Sequence, residues 1–389
     1  MILAEGEEPR ESGDEPPVAP CAVMVVDQSA AMRGLLCRVL DSDPGIRVVA
    51  TAASGRSAIT ALAEHDVDVV VLDSELYDAK GGALLPAILE KAPHVRVVMA
   101  SPLTREGAAS SVGAMASGAA DYFTKPSLEH RKVAVLPENS LTEKVKALGS
   151  VGRASAPVMR RTDAERKAGQ PARTQPVAKA SPSPRRRPAL NLREAGRTRP
   201  TVLAIAASTG GPPALFSVFR ALGDRVRVPI FITQHMPPKF TGALADRVEV
   251  LSRLPAAEAV DGEVVADRIY VAPGDRHLSV ERTSSDVVLR VTRGPRENYC
   301  RPAADPMFRS LAEVYGDRVL AVVLTGMGRD GLEGCRALVA ADSTVIAQDE
   351  ATSVVWGMPG AVATAGLCSA VLPVAKISDY IADRFSGAA

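Results

Sequence analysis

A chain of 389 residues, 46% of them apolar, buries enough surface for two domains of ordinary size, and one core of that length would be unusual. With 46 basic against 45 acidic side chains the formal net charge is +1, so bulk charge gives no reason to expect a nucleic-acid or membrane partner. The five cysteines are widely spaced and form no C-x-x-C pair, which excludes a disulfide framework or a zinc site of that type and points to a reduced, cytoplasmic chain.

Residues 1–20 are acidic and contain prolines, a composition that reads as a disordered arm. The arm lacks a basic start and a long apolar run, so it reads as no signal peptide. Nor does any stretch of the chain approach the roughly 18 apolar residues of a membrane span. The first folded unit is expected over 21–135. Short β-branched runs recur at Ala22 to Val26, Arg47 to Thr51, Val67 to Leu72, Arg96 to Ala100 and Tyr122, separated by amphipathic stretches. The runs are too apolar for half-exposed strands, so they predict a parallel sheet with helices on both faces.

Residues 136–200 lose this alternation. Between Val151 and Pro200 there are 13 Lys or Arg against 3 acids, a net of +10. This stretch reads as an extended, flexible linker; it carries no aromatic residue for base stacking and no helix-turn-helix follows the first unit, so it is not expected to bind nucleic acid. Alternation resumes over 201–389, with strands expected at Val202 to Ala206, Ile230 to Gln234, Ile269 to Val271, Val287 to Val291, Val319 to Leu324 and Thr344 to Ala347. A second α/β domain follows, in which Val287 to Val291 belongs to an antiparallel hairpin.

Ligands of open α/β sheets bind outside the carboxyl ends of the strands. In the second domain the residues at those ends include Ser208 in Ala207-Ser208-Thr209-Gly210-Gly211, His235 before Met236-Pro237-Pro238, and Asp330 in Thr325-Gly326-Met327-Gly328-Arg329-Asp330-Gly331. A hydroxyl becomes a useful nucleophile when an imidazole takes its proton, and a carboxylate behind the ring fixes its tautomer. The glycine-rich turns offer backbone N–H groups at Thr209 and Met327 for an oxyanion. Duller readings exist for each residue: Ser208 as a phosphate contact or helix cap, His235 as a packed histidine, Asp330 as an N-cap paired with Glu333.

Taken with Arg301-Pro302-Ala303-Ala304-Asp305, Gln348-Asp349 and Gly357-Met358-Pro359, these words in order make the chain from Thr201 onward resemble the catalytic domain of the chemotaxis protein-glutamate methylesterases, the CheB family. The resemblance implies a nucleophile at Ser208, a base at His235, an orienting acid at Asp330 and an oxyanion region at Thr209 and Met327. It implies hydrolysis of glutamyl methyl esters with release of methanol, deamidation of receptor glutamines in addition, and no cofactor for the esterase. In the first unit Asp27, Asp73, Ser101 and Lys125 follow successive strands and resemble a receiver domain, the flavodoxin-like, doubly wound, five-stranded sheet that accepts phosphate. That likeness implies Asp73 as phosphoacceptor, Asp27 and Asp73 as Mg²⁺ ligands, Ser101 and Lys125 as switch residues, a histidine kinase as phosphodonor and the cytoplasmic domain of a methylated chemoreceptor as substrate. Gln28 stands where receivers carry a second acid, which predicts weaker Mg²⁺ binding, and Lys80 is expected to bring a cation near the pocket. The rival expectation is a non-catalytic signalling protein that binds receptor or partner helices.

Overall fold

The computed structural model describes residues 19–78, 84–126, 141–155 and 190–386. The first unit runs β1 (Cys21–Val26), α1 (Ala30–Asp41), β2 (Ile46–Ala52), α2 (Gly55–Glu64), β3 (Val69–Asp73), α3 (Ser74–Asp78), α4 (Leu84–Lys91), β4 (Arg96–Ser101), α5 (Arg105–Ala116), β5 (Asp121–Thr124) and α6 (Leu141–Ser155). Its helices start where side-chain oxygens meet otherwise unpaired amides. Ser29 accepts from Met32 N–H at α1, Thr104 from Gly107 N–H at α5, and Ser54 with Ser57 forms a capping box at α2. All five strands pair in parallel in the order β2-β1-β3-β4-β5. The order reverses between β1 and β3, so the residues after those two strands, Asp27 and Asp73, share one crevice.

Helix α6 lies inside the stretch read as a linker over 136–200, and that reading is corrected here. Leu141, Val145 and Leu148 recur at helical spacing and are buried in the same cluster as Cys21, Val23, Val25 and Val69. Lys144 on the same helix pairs with Asp121 at 3.1 Å and donates to Tyr122 O at 3.0 Å. The first unit therefore extends through α6 rather than ending at 135. At the other end of that stretch, Arg193 donates to Cys368 O and Ser343 O, and Gly196 N–H to Thr344 Oγ1, so residues 190–200 pack on the second unit. A local excess of positive charge reads as linker in one dimension, but it does not prevent the interleaved apolar residues from docking. Residues 1–18, the bulk of the predicted acidic arm, the arginine-rich core of the predicted linker at 156–189, and Lys80 lie outside the described residues.

The second unit runs β6 (Val202–Ala207), α7 (Gly211–Leu222), β7 (Ile230–Gln234), α8 (Phe240–Ser252), β8 (Ala256–Glu258), β9 (Ile269–Val271), β10 (His277–Arg282), β11 (Val287–Thr292), α9 (Ala304–Tyr315), β12 (Val319–Val323), α10 (Leu332–Ala340), β13 (Thr344–Gln348), α11 (Met358–Thr364), β14 (Ala370–Leu372) and α12 (Val374–Ser386). Seven strands pair in parallel in the order β14-β13-β12-β6-β7-β9-β8, and β10 with β11 forms the separate antiparallel hairpin. The central strands are buried along their whole length, as their unbroken apolar runs require. The chain departs from β6 toward β7 on one side and returns through β12 on the other, which opens a crevice at the carboxyl end of β6. Among the described residues no helix is long and apolar enough to cross a membrane.

The two units touch. Tyr122 of β5 stacks on Phe240 of α8, ring centroids 4.6 Å apart, and Lys239 Nζ donates to Leu103 O at 3.0 Å. Both aromatic rings are buried, so an apolar seam joins the units rather than a loose tether.

Candidate active site

Ser208, His235 and Asp330 follow β6, β7 and β12, three adjacent strands. Ala207 is in register with Gln234, which puts Ser208 beside His235 at the next step. The turn after β6 needs glycine: Gly210 has φ +72°, and a Cβ there would lie 2.6 Å from Val354 Cβ. Gly326 is equally constrained, since a Cβ on it would sit 2.9 Å from Ser208 Cβ. The peptide of Ser208 is pinned by three bonds: its N–H to Thr325 O at 3.0 Å, and its O accepting Gly211 N–H at 2.7 Å and Gln234 Nε2 at 2.9 Å.

His235 Nε2 meets Asp330 Oδ2 at 2.7 Å, with both side chains buried. Asp330 does not cap α10, whose cap is Gly331 without a side-chain bond. Instead its Oδ2 also accepts Ala304 N–H at 2.6 Å, and its Oδ1 accepts Asn298 Nδ2 at 2.9 Å and Asp305 N–H at 3.3 Å. The carboxylate therefore sits on the N-terminus of α9, where free amides and the helix dipole favour negative charge. Burial opposes ionisation of Asp330, but His235 and these donors hold it below the usual carboxylate range. Burial likewise opposes a charged His235, yet the bond to Asp330, followed by the contact with Cys300, raises its pKa from 6.5 to about 10.

These shifts make the pair a pH-dependent prop of the fold. A raised His pKa contributes stability that is complete below 6.5 and is lost as pH rises through about 10. The lowered Asp330 contributes above 3.8 and is lost as pH falls through its folded value. The unfolding midpoint of the wild type is expected to drop between about pH 7 and about pH 10 more steeply than that of His235→Gln, measured by thermal melts. Parallel slopes would refute the stabilising role of the pair.

No hydrogen bond joins Ser208 Oγ to His235 in this structure. The nitrogen opposite Asp330, Nδ1, lies 3.4 Å from Cys300 Sγ instead. Among the described residues neither the Thr209 nor the Met327 N–H finds an acceptor, so both amides are available to an incoming oxyanion. The Thr325 hydroxyl holds the Thr209 peptide through its O at 3.0 Å, and Thr325 N–H donates to Gln348 Oε1 at 2.8 Å. Sequence reading did not single out Asn298, Cys300, Gln234 or Thr325 for the site. Asp305, present only as part of a motif, supports it too: its Oδ1 accepts Gly334 N–H at 2.7 Å and its Oδ2 accepts Asn298 Nδ2 at 2.8 Å.

In the receiver-like unit Lys125 Nζ reaches Asp27 Oδ2 at 2.7 Å and Asp73 Oδ1 at 2.6 Å. Burial pushes the Asp73 carboxyl up in spite of that lysine. The Ser101 carbonyl accepts Lys125 N–H at 2.7 Å, but its hydroxyl turns from the trio and bonds Ser111 Oγ at 2.5 Å. Gln28 turns its amide to Glu75 Oε2 at 2.5 Å. Among the described residues no group of three or more His, Cys, Asp or Glu side chains is placed to hold a metal. Two carboxylates are nevertheless adjacent, and Asp73 Oδ2 is buried without a hydrogen-bond partner. That donor set suits a Mg²⁺ ion, which keeps several waters and takes one or two carboxylates.

Both units are similar to known proteins. Residues 203–381 match the family described as CheB methylesterase, and residues 23–136 match the response regulator receiver domain. The chain is 50% identical over 370 residues to a protein-glutamate methylesterase/protein-glutamine glutaminase of group 2 operon from Rhodospirillum centenum, with 93% of each chain covered. It is 48% identical over 368 residues to a protein of the same name, numbered 1, from Paramagnetospirillum magneticum, covering 92% of this chain and 94% of that one. With a hydrolase-like strand-end constellation, a receiver pocket and likeness along nearly the whole length, the chain belongs to the protein-glutamate methylesterase/protein-glutamine glutaminase family, the CheB methylesterases that carry a receiver domain.

Proposed function

We propose that this enzyme hydrolyses glutamyl methyl esters on the cytoplasmic helices of a chemoreceptor, and deamidates receptor glutamines, with Ser208 as nucleophile. The observation that carries this reading is the buried His235–Asp330 bond beside Ser208, on strands whose register brings serine and histidine together. Because Asp330 takes Nε2, Nδ1 is the nitrogen that receives the Ser208 proton. Ser208 Oγ then bonds the side-chain carbonyl carbon, and the resulting oxyanion meets the Thr209 and Met327 amides. Collapse breaks the bond to methanol, or to ammonia from a glutamine, with the proton returned from His235. Water, deprotonated by the same imidazole, resolves the acyl-enzyme to glutamate. Asp330 stabilises the imidazolium in both halves. Release of labelled methanol from a methylated receptor by the full-length chain tests the reading; no release above background would favour the rival, a protein that only binds receptor helices.

The receiver-like unit is the regulator in this reading, and a histidine kinase its phosphodonor. Asp73 accepts the phosphoryl group, Asp27 and Asp73 would hold the Mg²⁺ that neutralises incoming charge, and Lys125 pairs with the phosphate. The seam supplies the route to the esterase. Leu103, two residues after Ser101, and Tyr122, three before Lys125, contact Lys239 and Phe240, the last residue of the loop that begins at His235 and the first of α8. Acetyl phosphate with Mg²⁺ is expected to raise methanol release by at least about fivefold in the wild type and not at all in Asp73→Asn. Equal stimulation of both would remove Asp73 from the switch, and no stimulation of either would remove the coupling.

A further inference from the structure

The turn from Glu297 to Cys300 crosses the His235–Asp330 pair. Reciprocal backbone bonds close it, from Cys300 N–H to Glu297 O at 2.8 Å and from Glu297 N–H to Cys300 O at 3.1 Å. Asn298 and Tyr299 inside it have φ of 48° and 64°, a left-handed conformation that asparagine adopts readily and tyrosine seldom. Two side chains tie the turn to the pair. Asn298 Nδ2 bridges the carboxylates of Asp330 and Asp305 at 2.9 and 2.8 Å, and Cys300 Sγ approaches His235 Nδ1 at 3.4 Å.

The imidazole has only two nitrogens. Nε2–H is given to the Asp330 carboxylate, so a neutral ring carries its one lone pair at Nδ1. On a neutral ring the thiol S–H, 3.4 Å away, is placed to donate to that lone pair, and the Ser208 O–H needs the same one. On a charged ring Nδ1–H points at the sulfur instead, and no lone pair is left to offer Ser208. Either way, contact between Cys300 and His235 leaves Ser208 unactivated. The titratable groups that touch the ring are Asp330 and Cys300, with Asp305 behind Asp330. Cys300 is partly exposed on a closed turn, so a substrate helix settling over the crevice can displace it.

We propose that Cys300 is a positioning residue that holds His235 in a resting arrangement and competes with Ser208 for Nδ1, the nucleophile becoming reactive when thiol and imidazole separate. The inference rests on the roles proposed above for Ser208 and His235.

Labelling of the full-length chain by a fluorophosphonate tests it. In that reaction Ser208 Oγ bonds phosphorus, the P–F bond breaks, fluoride leaves and His235 takes the serine proton. Cys300→Ala is expected to label about three- to tenfold faster near neutral pH, the loss of one competing hydrogen bond, with the acid limb of its pH profile displaced from that of the wild type. Cys300→Ser, which restores a donor, is expected to bring rate and profile back toward the wild type. If Cys300→Ala lowers the unfolding midpoint, Cys300→Val, similar in volume and without a donor, is read in its place. A folded donor-free variant that labels no faster and leaves the profile unmoved overturns the role of Cys300, while loss of labelling in Ser208→Ala shows that the proposed reaction still stands. Labelling that persists in Ser208→Ala overturns both.

Discussion

Ser208→Ala is expected to lower methanol release from a methylated receptor by roughly 10⁴-fold or more, while receptor binding and the unfolding midpoint stay close to those of the wild type. The loss is large because no other group replaces the nucleophile: water would have to attack the ester directly, and only the oxyanion amides of Thr209 and Met327 would remain to assist. The fold tolerates the change because Ser208 is anchored by its peptide, through Thr325 O, Gly211 N–H and Gln234 Nε2, and among the described residues its hydroxyl makes no hydrogen bond. A single-turnover assay with labelled methyl ester, run beside a binding assay, separates the two effects. A variant that still turned over within about tenfold of the wild type would assign the chemistry to another residue, because removal of a covalent nucleophile costs far more than this.

Asp330→Asn is expected to reduce kcat by roughly 10⁴-fold and also to destabilise the protein by about 1 to 3 kcal/mol. The carboxylate accepts four donors, His235 Nε2 and Ala304 N–H at Oδ2 and Asn298 Nδ2 and Asp305 N–H at Oδ1. An amide has one accepting end. With its oxygen toward His235, its NH₂ faces the Asn298 and Asp305 donors; flipped, it faces Nε2–H and Ala304 N–H. Each orientation leaves buried donors opposed, and the flipped one drives His235 to the tautomer that carries its proton on Nδ1, toward the serine. Thermal melts and steady-state kinetics over a range of pH read both consequences. Retention of the wild-type rate and midpoint would mean that Asp330 neither orients the ring nor anchors α9.

Much of the architecture is legible in the amino-acid order because the relevant signals are local. Apolar runs such as Val202 to Ala207 and Val319 to Val323 form buried parallel strands, and parallel pairing collects the residues after them at one edge. That is why Ser208, His235 and Asp330, and likewise Asp27, Asp73 and Lys125, could be named as candidates without coordinates. The boundary at 135 went wrong for the opposite reason. The basic stretch hides the spacing of Leu141, Val145 and Leu148, and that spacing acquires meaning only through contact with Cys21 and Val69, more than a hundred and about seventy residues away in the chain.

By itself, then, the sequence determined two α/β units and the identity of the groups at their strand ends, because strand formation and parallel pairing follow from short apolar runs. Tertiary structure alone decided how those groups are wired. It turned Nε2 of His235 toward Asp330 and seated that carboxylate on the N-terminus of α9 instead of capping α10. It also laid Asn298 and Cys300 across the pair and joined the two units through Tyr122 and Phe240. These are contacts between residues far apart in the chain, set by how packed elements meet, and no local periodicity encodes them.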